Sequence, residues 1–141
     1  MLQTWQFWAL LSAVFAALTA VFAKAGVSGI NSDMATFIRT AIILPMTLVI
    51  VLMFGQWQSP AGISGRTWQF LALSALATGA SWLCYFRALK LGNAGQVAPI
   101  DKLSVVLVAV FAAIFLGERL SIQGWSGVAL IAAGAVLVAT A

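Results

Sequence analysis

Histidine is missing from this sequence altogether, and cysteine occurs once, at Cys84. A lone cysteine excludes an intramolecular disulfide and a cysteine-ligated zinc. Without histidine there is no His-based catalytic site. The chain also lacks a Gly-x-Ser-x-Gly elbow, a clustered metal-ligand set and a phosphate-binding loop, so catalysis finds no support and no cofactor is expected. Charge is scarce as well. Only 7% of the 141 residues are Asp, Glu, Lys or Arg, where soluble domains carry about 25%. The seven basic residues, giving a net charge of +4, are scattered and form no stripe for phosphates to follow. Nucleic acid is therefore not an expected partner.

What fills the space is apolar: 63% of residues are hydrophobic and the mean hydropathy is +1.08. A soluble domain of this size could not cover that much apolar surface, so the expected solvent is a lipid bilayer. The basic excess then reads as orientation and anchoring to anionic lipid. Five hydrophobic runs, at about 5–23, 33–54, 68–91, 96–116 and 122–140, are each of a length to cross the hydrocarbon layer as a helix. The fold class expected is all-α, with five transmembrane helices in a single membrane domain over 1–141. The first run lacks a positive flank before it and is too long for a signal peptide, so it reads as a helix that stays. Ser32 is placed to cap the second helix, Gly92-Asn93 to end the third, Gly117 to end the fourth and Ser121 to cap the fifth. Thr4-Trp5-Gln6-Phe7 and Thr67-Trp68-Gln69-Phe70 repeat one another and read as an interfacial aromatic belt.

Odd helix number puts the two ends of the chain on opposite sides. Lys24, Arg39, Arg87, Lys90 and Lys102 fall towards one side, and Arg66 and Arg119 towards the other. That count favours an N-out, C-in orientation. Discounting Arg39, Lys102 and Arg87, which lie within or at the edge of the apolar slab, levels it and opens the way to both orientations.

Ionisable groups inside the slab are the sharpest functional signal, since each costs about 2.5–3.5 kcal/mol to insert. Asp101 and Lys102 stand some two turns into the fourth run, which then carries no charge and only Ser104 as a hydroxyl through Leu116. Asp101 and Ser104 share a helical face, whereas Lys102 points about 100° away and is expected to have another partner. Arg39, at similar depth, is the expected counter-ion for Asp101 or a solute contact. On the third run Thr78, Ser81, Trp82 and Tyr85 share a face suited to a cavity or to a helix contact. Thr36, Thr40 and Thr47 make a polar edge beside Arg39, with Pro45 mid-helix. Asp33 is placed to interact with its own helix dipole. Gly124, Gly127 and Gly134 give the last helix small faces for close packing.

Four stretches bear a resemblance: Tyr85-Phe86-Arg87-Ala88-Leu89-Lys90-Leu91-Gly92, Val97-Ala98-Pro99-Ile100-Asp101-Lys102-Leu103-Ser104, Phe115-Leu116-Gly117-Glu118-Arg119-Leu120-Ser121 and Gly127-Val128-Ala129-Leu130-Ile131-Ala132-Ala133-Gly134. Together they resemble the EamA-type domain of the drug/metabolite transporter superfamily. Most members have two such domains and ten helices, so this chain resembles a half-size, five-helix member. The resemblance implies half of an inverted-repeat transporter, with the substrate cavity between the halves. It further implies a homodimer, antiparallel in the membrane, in the inner membrane of a prokaryote. The small multidrug resistance proteins are similar in architecture, but the first run here has no membrane-embedded carboxylate, which speaks against their type of cation/proton exchange. The resulting expectation is a secondary transporter subunit for a small anionic or zwitterionic metabolite, using Arg39, Trp82, Tyr85, Asp101, Lys102 and Ser104. The alternatives are a non-transporting membrane assembly protein and one half of a heterodimeric transporter.

Overall fold

A computed structural model describes residues 4–141. The elements, in chain order, are α1 (Trp5–Val27), α2 (Ser32–Met53), a 3₁₀ turn (Pro60–Gly62), α3 (Gly65–Leu91), α4 (Ala94–Asp101), α5 (Ser104–Phe111), a π turn (Ala112–Leu116) and α6 (Ile122–Thr140). No strand occurs among the described residues. Taking Ala94–Leu116 as one segment, five helical segments are long and apolar enough to cross a membrane. Their apolar side chains stay largely uncovered, as in Leu10 and Phe22 of α1, Leu44 of α2 and Leu130 of α6. In water such helices would not hold; in lipid the backbone satisfies itself along the helix and the side chains meet acyl chains. The protein is an all-α membrane protein.

Helix ends follow local chemistry. The cap of α2 is Asn31, not Ser32: its side chain accepts from the Asp33 amide at 2.8 Å, and Ser32 is already helical. Asn31 has the extended backbone that a cap requires, with ψ at 138°, whereas Ser32 is the first helical residue and places its hydroxyl near the Asp33 carboxylate. Ser121 caps α6 as expected, accepting from Gly124 N at 3.1 Å. Gly117 closes the π turn at φ +68°, a left-handed conformation that costs little only without a Cβ.

The fourth segment departs from the single helix expected over 96–116. It breaks between α4 and α5 at Lys102 and Leu103. Pro99 lies in the turn before the break and brings no amide proton of its own. Beyond it, the amides of Leu103, Val105 and Val106 bond three residues back, to Ile100, Lys102 and Leu103, while Lys102 N is shared between Ala98 and Pro99. The helix thus tightens to 3₁₀ spacing at the charged pair. By contrast, α2 runs unbroken through Pro45.

The chain divides into two compact units. In one, formed by residues up to Lys24 with Leu91–Ala141, α6 packs along α4 and α5. Lys24 Nζ donates to Gly92 O at 2.7 Å, holding the end of α1 to the turn before α4. The other unit, Ala25–Lys90, holds α2 and α3 as an antiparallel pair joined by the loop that contains the 3₁₀ turn. Trp68 Nε1 reaches Pro60 O within that loop, as a Trp at a membrane boundary does.

Candidate functional site

In the Ala25–Lys90 unit, side chains rather than backbone contact join α2 to α3. At the start of α2, Asp33 accepts two bonds from Arg87: Nε to Oδ1 at 3.1 Å and Nη2 to Oδ2 at 2.8 Å. One turn on, Lys90 Nζ donates to Ile30 O at 2.5 Å. Asp33 was placed by its helix position alone in the sequence; the structure gives it a guanidinium fork as partner as well. Beneath these bridges Val27, Ser32, Thr36, Phe86 and Leu89 are buried, and Thr36 Oγ1 donates to Ser32 O at 3.0 Å. That end of the hairpin is closed.

Arg39 lies further along α2. Its guanidinium carbon sits 4.7 Å from the Trp82 ring centre and 5.3 Å from that of Phe86. Stacking of this kind contributes about 0.5–2 kcal/mol, rising with desolvation. Arg39 forms no hydrogen bond among the described residues, so its N–H groups remain as donors. Asp33 is the only acidic residue of this unit, and Arg87 holds it. Arg39 therefore has aromatic neighbours but no carboxylate within its own unit. Tyr85 is close enough to interact with it electrostatically.

Beyond Arg39 the two helices part around a cleft of about 410 Å³. Thr40 and Thr47 border it from α2, and Ser74, Thr78, Gly79 and Trp82 from α3. The two threonines of α2 spend their protons on their own helix: Thr40 Oγ1 donates to Thr36 O, and Thr47 Oγ1 lies within bonding distance of Ile43 O and Leu44 O. Their lone pairs still face outwards as acceptors. Ser74 and Thr78, one turn apart on α3, form no hydrogen bond among the described residues. The cleft thus brings together Thr78 and Trp82, both singled out in the sequence, with Ser74, which was not. Ser74 was recoverable: it sits four residues before Thr78 and eight before Trp82, on the same helical face. Ser81 and Tyr85 do not line the cleft, and Arg39 adjoins it only through the Trp82 ring, which does.

Asp101 and Lys102 lie in the other unit, at the α4–α5 break. Contrary to the expectation that they diverge, Lys102 Nζ approaches Asp101 Oδ2 to 3.4 Å. An i, i+1 pair does not share a helical face, but Lys102 caps the helix end, and its long flexible stem folds back. Lys102 remains exposed and Asp101 partly so. Ser104 opens α5 as an exposed residue. In the same unit, a Cβ added at Gly127 or Gly134 of α6 would meet nothing within 4 Å, and one at Gly124 would meet Leu120 and Ser121 of its own turn.

Residues 3–140 match the EamA-like transporter family. A protein of Sinorhizobium sp. described as an uncharacterized transporter in the cobO 3' region is 68% identical over 139 residues, covering 99% of each chain. No solved structure matches the chain significantly.

Proposed function

We propose, because the chain belongs to the EamA-like transporter family, that it is one subunit of a dimeric secondary transporter. Two copies enclose a shared cavity and carry a small anionic or zwitterionic metabolite by alternating access. The observation that carries the anion preference is Arg39: a cation within an apolar helix, stacked on Trp82 and Phe86, with the one carboxylate of its unit already engaged. A guanidinium so placed offers its N–H edge to a solute carboxylate or phosphate. Trp82 and Tyr85 supply aromatic walls. Lys102 adds a second cation, while Asp101 and Ser104 beside it are the groups proposed for coupling.

Five helices fit a half-size domain, and two such units inserted in opposite senses rebuild an inverted repeat. The near balance of basic residues between the two sides is compatible with that arrangement. Open space at Gly127 and Gly134 leaves small faces where a second copy can approach closely. That feature equally favours pairing with a different half-size subunit. The bacterial relative supports placement in the inner membrane of a prokaryote.

Reconstitution tests the reading. Proteoliposomes containing the full chain are loaded with a panel of small organic anions, zwitterions and cations, and exchange of labelled solute is followed. Anions or zwitterions should exchange above protein-free vesicles, and Lys102→Gln should slow anions more than zwitterions. Exchange of cations alone would contradict the anion preference, and an unchanged solute preference in Lys102→Gln would contradict the role given to Lys102.

A further inference from the structure

We infer that the cleft between α2 and α3 is a binding site for small oxo- or hydroxycarboxylates, with Arg39 holding the carboxylate and Thr78 and Ser74 donating to oxygens on the body. This rests on the transporter reading and gives it a substrate class. The Arg39 guanidinium carbon lies against the Trp82 and Phe86 rings, and its N–H groups form no hydrogen bond among the described residues, so they are open to a ligand. A carboxylate matches a guanidinium edge with two parallel bonds, which a neutral oxygen does not. Arg87 and Lys90, the other cations of this hairpin near that end, are committed to Asp33 and to the Ile30 carbonyl.

The remaining lining discriminates among anions. Thr40 and Thr47 have given their protons to backbone carbonyls, whereas Ser74 and Thr78 have not. The α3 side of the cleft is therefore a ladder of two uncommitted O–H donors ending at the Trp82 ring. On a helix, Thr78 lies about 6 Å from the level of Trp82 and Ser74 about 6 Å further. A carboxylate at Arg39, which adjoins the cleft through the Trp82 ring, extends its chain along α3 towards Thr78, where an oxygen on that chain meets the hydroxyl. An unfunctionalised chain of the same length would leave the hydroxyl without a partner in an apolar surrounding. A lipid acyl chain would leave both hydroxyls and Arg39 unmatched. The volume of about 410 Å³ admits molecules of this size.

Three probes of nearly equal size separate these contributions: levulinate, with both carboxylate and ketone; pentanoate, with carboxylate only; and levulinamide, with ketone but no charge. Binding to the full chain in detergent is followed by ligand-observed NMR. The wild type should bind levulinate about fivefold or more tightly than pentanoate, the worth of about one neutral hydrogen bond. Levulinamide should bind about tenfold or more weakly than levulinate, the worth of a charge-assisted pair. Ser74→Ala combined with Thr78→Val should erase the preference for levulinate over pentanoate and leave pentanoate unchanged. Arg39→Gln should erase the preference for levulinate over levulinamide, and Arg39→Lys should restore only part of it.

Equal binding of levulinate and pentanoate by the wild type would overturn the inference and mark an apolar groove. So would a preference untouched in the Ser74/Thr78 double variant, or the failure of all three probes to bind. Exchange of other anions by proteoliposomes alongside any of these results would leave the transporter reading standing. Levulinate binding with the expected variant pattern, but no exchange of any solute, would end that reading and leave the site.

Discussion

Asp33 shows what one residue reveals on its own and what it withholds. Its position in the first turn of a helix is legible from the sequence, and so is its company on one side of the membrane with Lys24, Arg87 and Lys90. Which cation it takes depends on how α2 and α3 are set against each other, and no local pattern carries that register. Arg87 takes it through both Nε and Nη2. Lysine cannot reproduce a planar fork, but the pair is exposed and screened by solvent, so Arg87→Lys should lower the detergent melting temperature only slightly, and Asp33→Asn by at least as much. Reversal of both charges together should recover part of the loss, measured by the same thermal scan. At Arg39 the sequence marks the depth of the charge but not the rings above it, because Trp82 and Phe86 reach it only through the antiparallel pairing of the helices. The Lys102–Asp101 contact was hidden for a different reason. Helical spacing sets where a stem begins, and a lysine stem is long enough to undo that.

Among the elements, the ends of helices were the most legible parts. Gly117 and Ser121 act in the structure as their residue types demand. Gly117→Ala should cost about 1–2 kcal/mol, since φ +68° crowds a Cβ, and calorimetry of the folded chain in detergent checks it. The break at Lys102–Leu103 was not legible, because Pro45 in α2 leaves its helix continuous whereas the turns beyond Pro99 tighten. Pro99→Ala supplies an amide donor for the Gly95 carbonyl and should firm the turn before the break. Hydrogen exchange at the amides of 100–101 should then slow, while those of α6 stay unchanged. For α6 the small face is plain in the sequence, but its use is not. Open space at Gly127 means that Gly127→Leu should leave the helices of a single chain intact and weaken association of copies, read as a shift to smaller particles on size-exclusion chromatography with unchanged helical signal.

At the scale of the whole molecule, composition decides the solvent and helix number decides the logic. A chain with five crossing segments has its ends on opposite faces, so a second copy can complete an inverted repeat only by entering the membrane the other way up. Few charges hold the orientation, and those deepest in the helices are engaged with aromatic rings or with a neighbouring side chain. Adding two lysines to one connecting loop should therefore force a single orientation and reduce solute exchange. The claim that the transporter is built from two oppositely inserted copies is tested most directly by labelling. Cys84 is replaced, one cysteine is placed at Ile63 in the loop between α2 and α3, and intact cells are treated with a membrane-impermeant thiol reagent before and after permeabilisation. The account predicts that a substantial fraction of the protein reacts from outside and that the remainder reacts only once the inner face is opened. Reaction of the whole population from one face alone would contradict it.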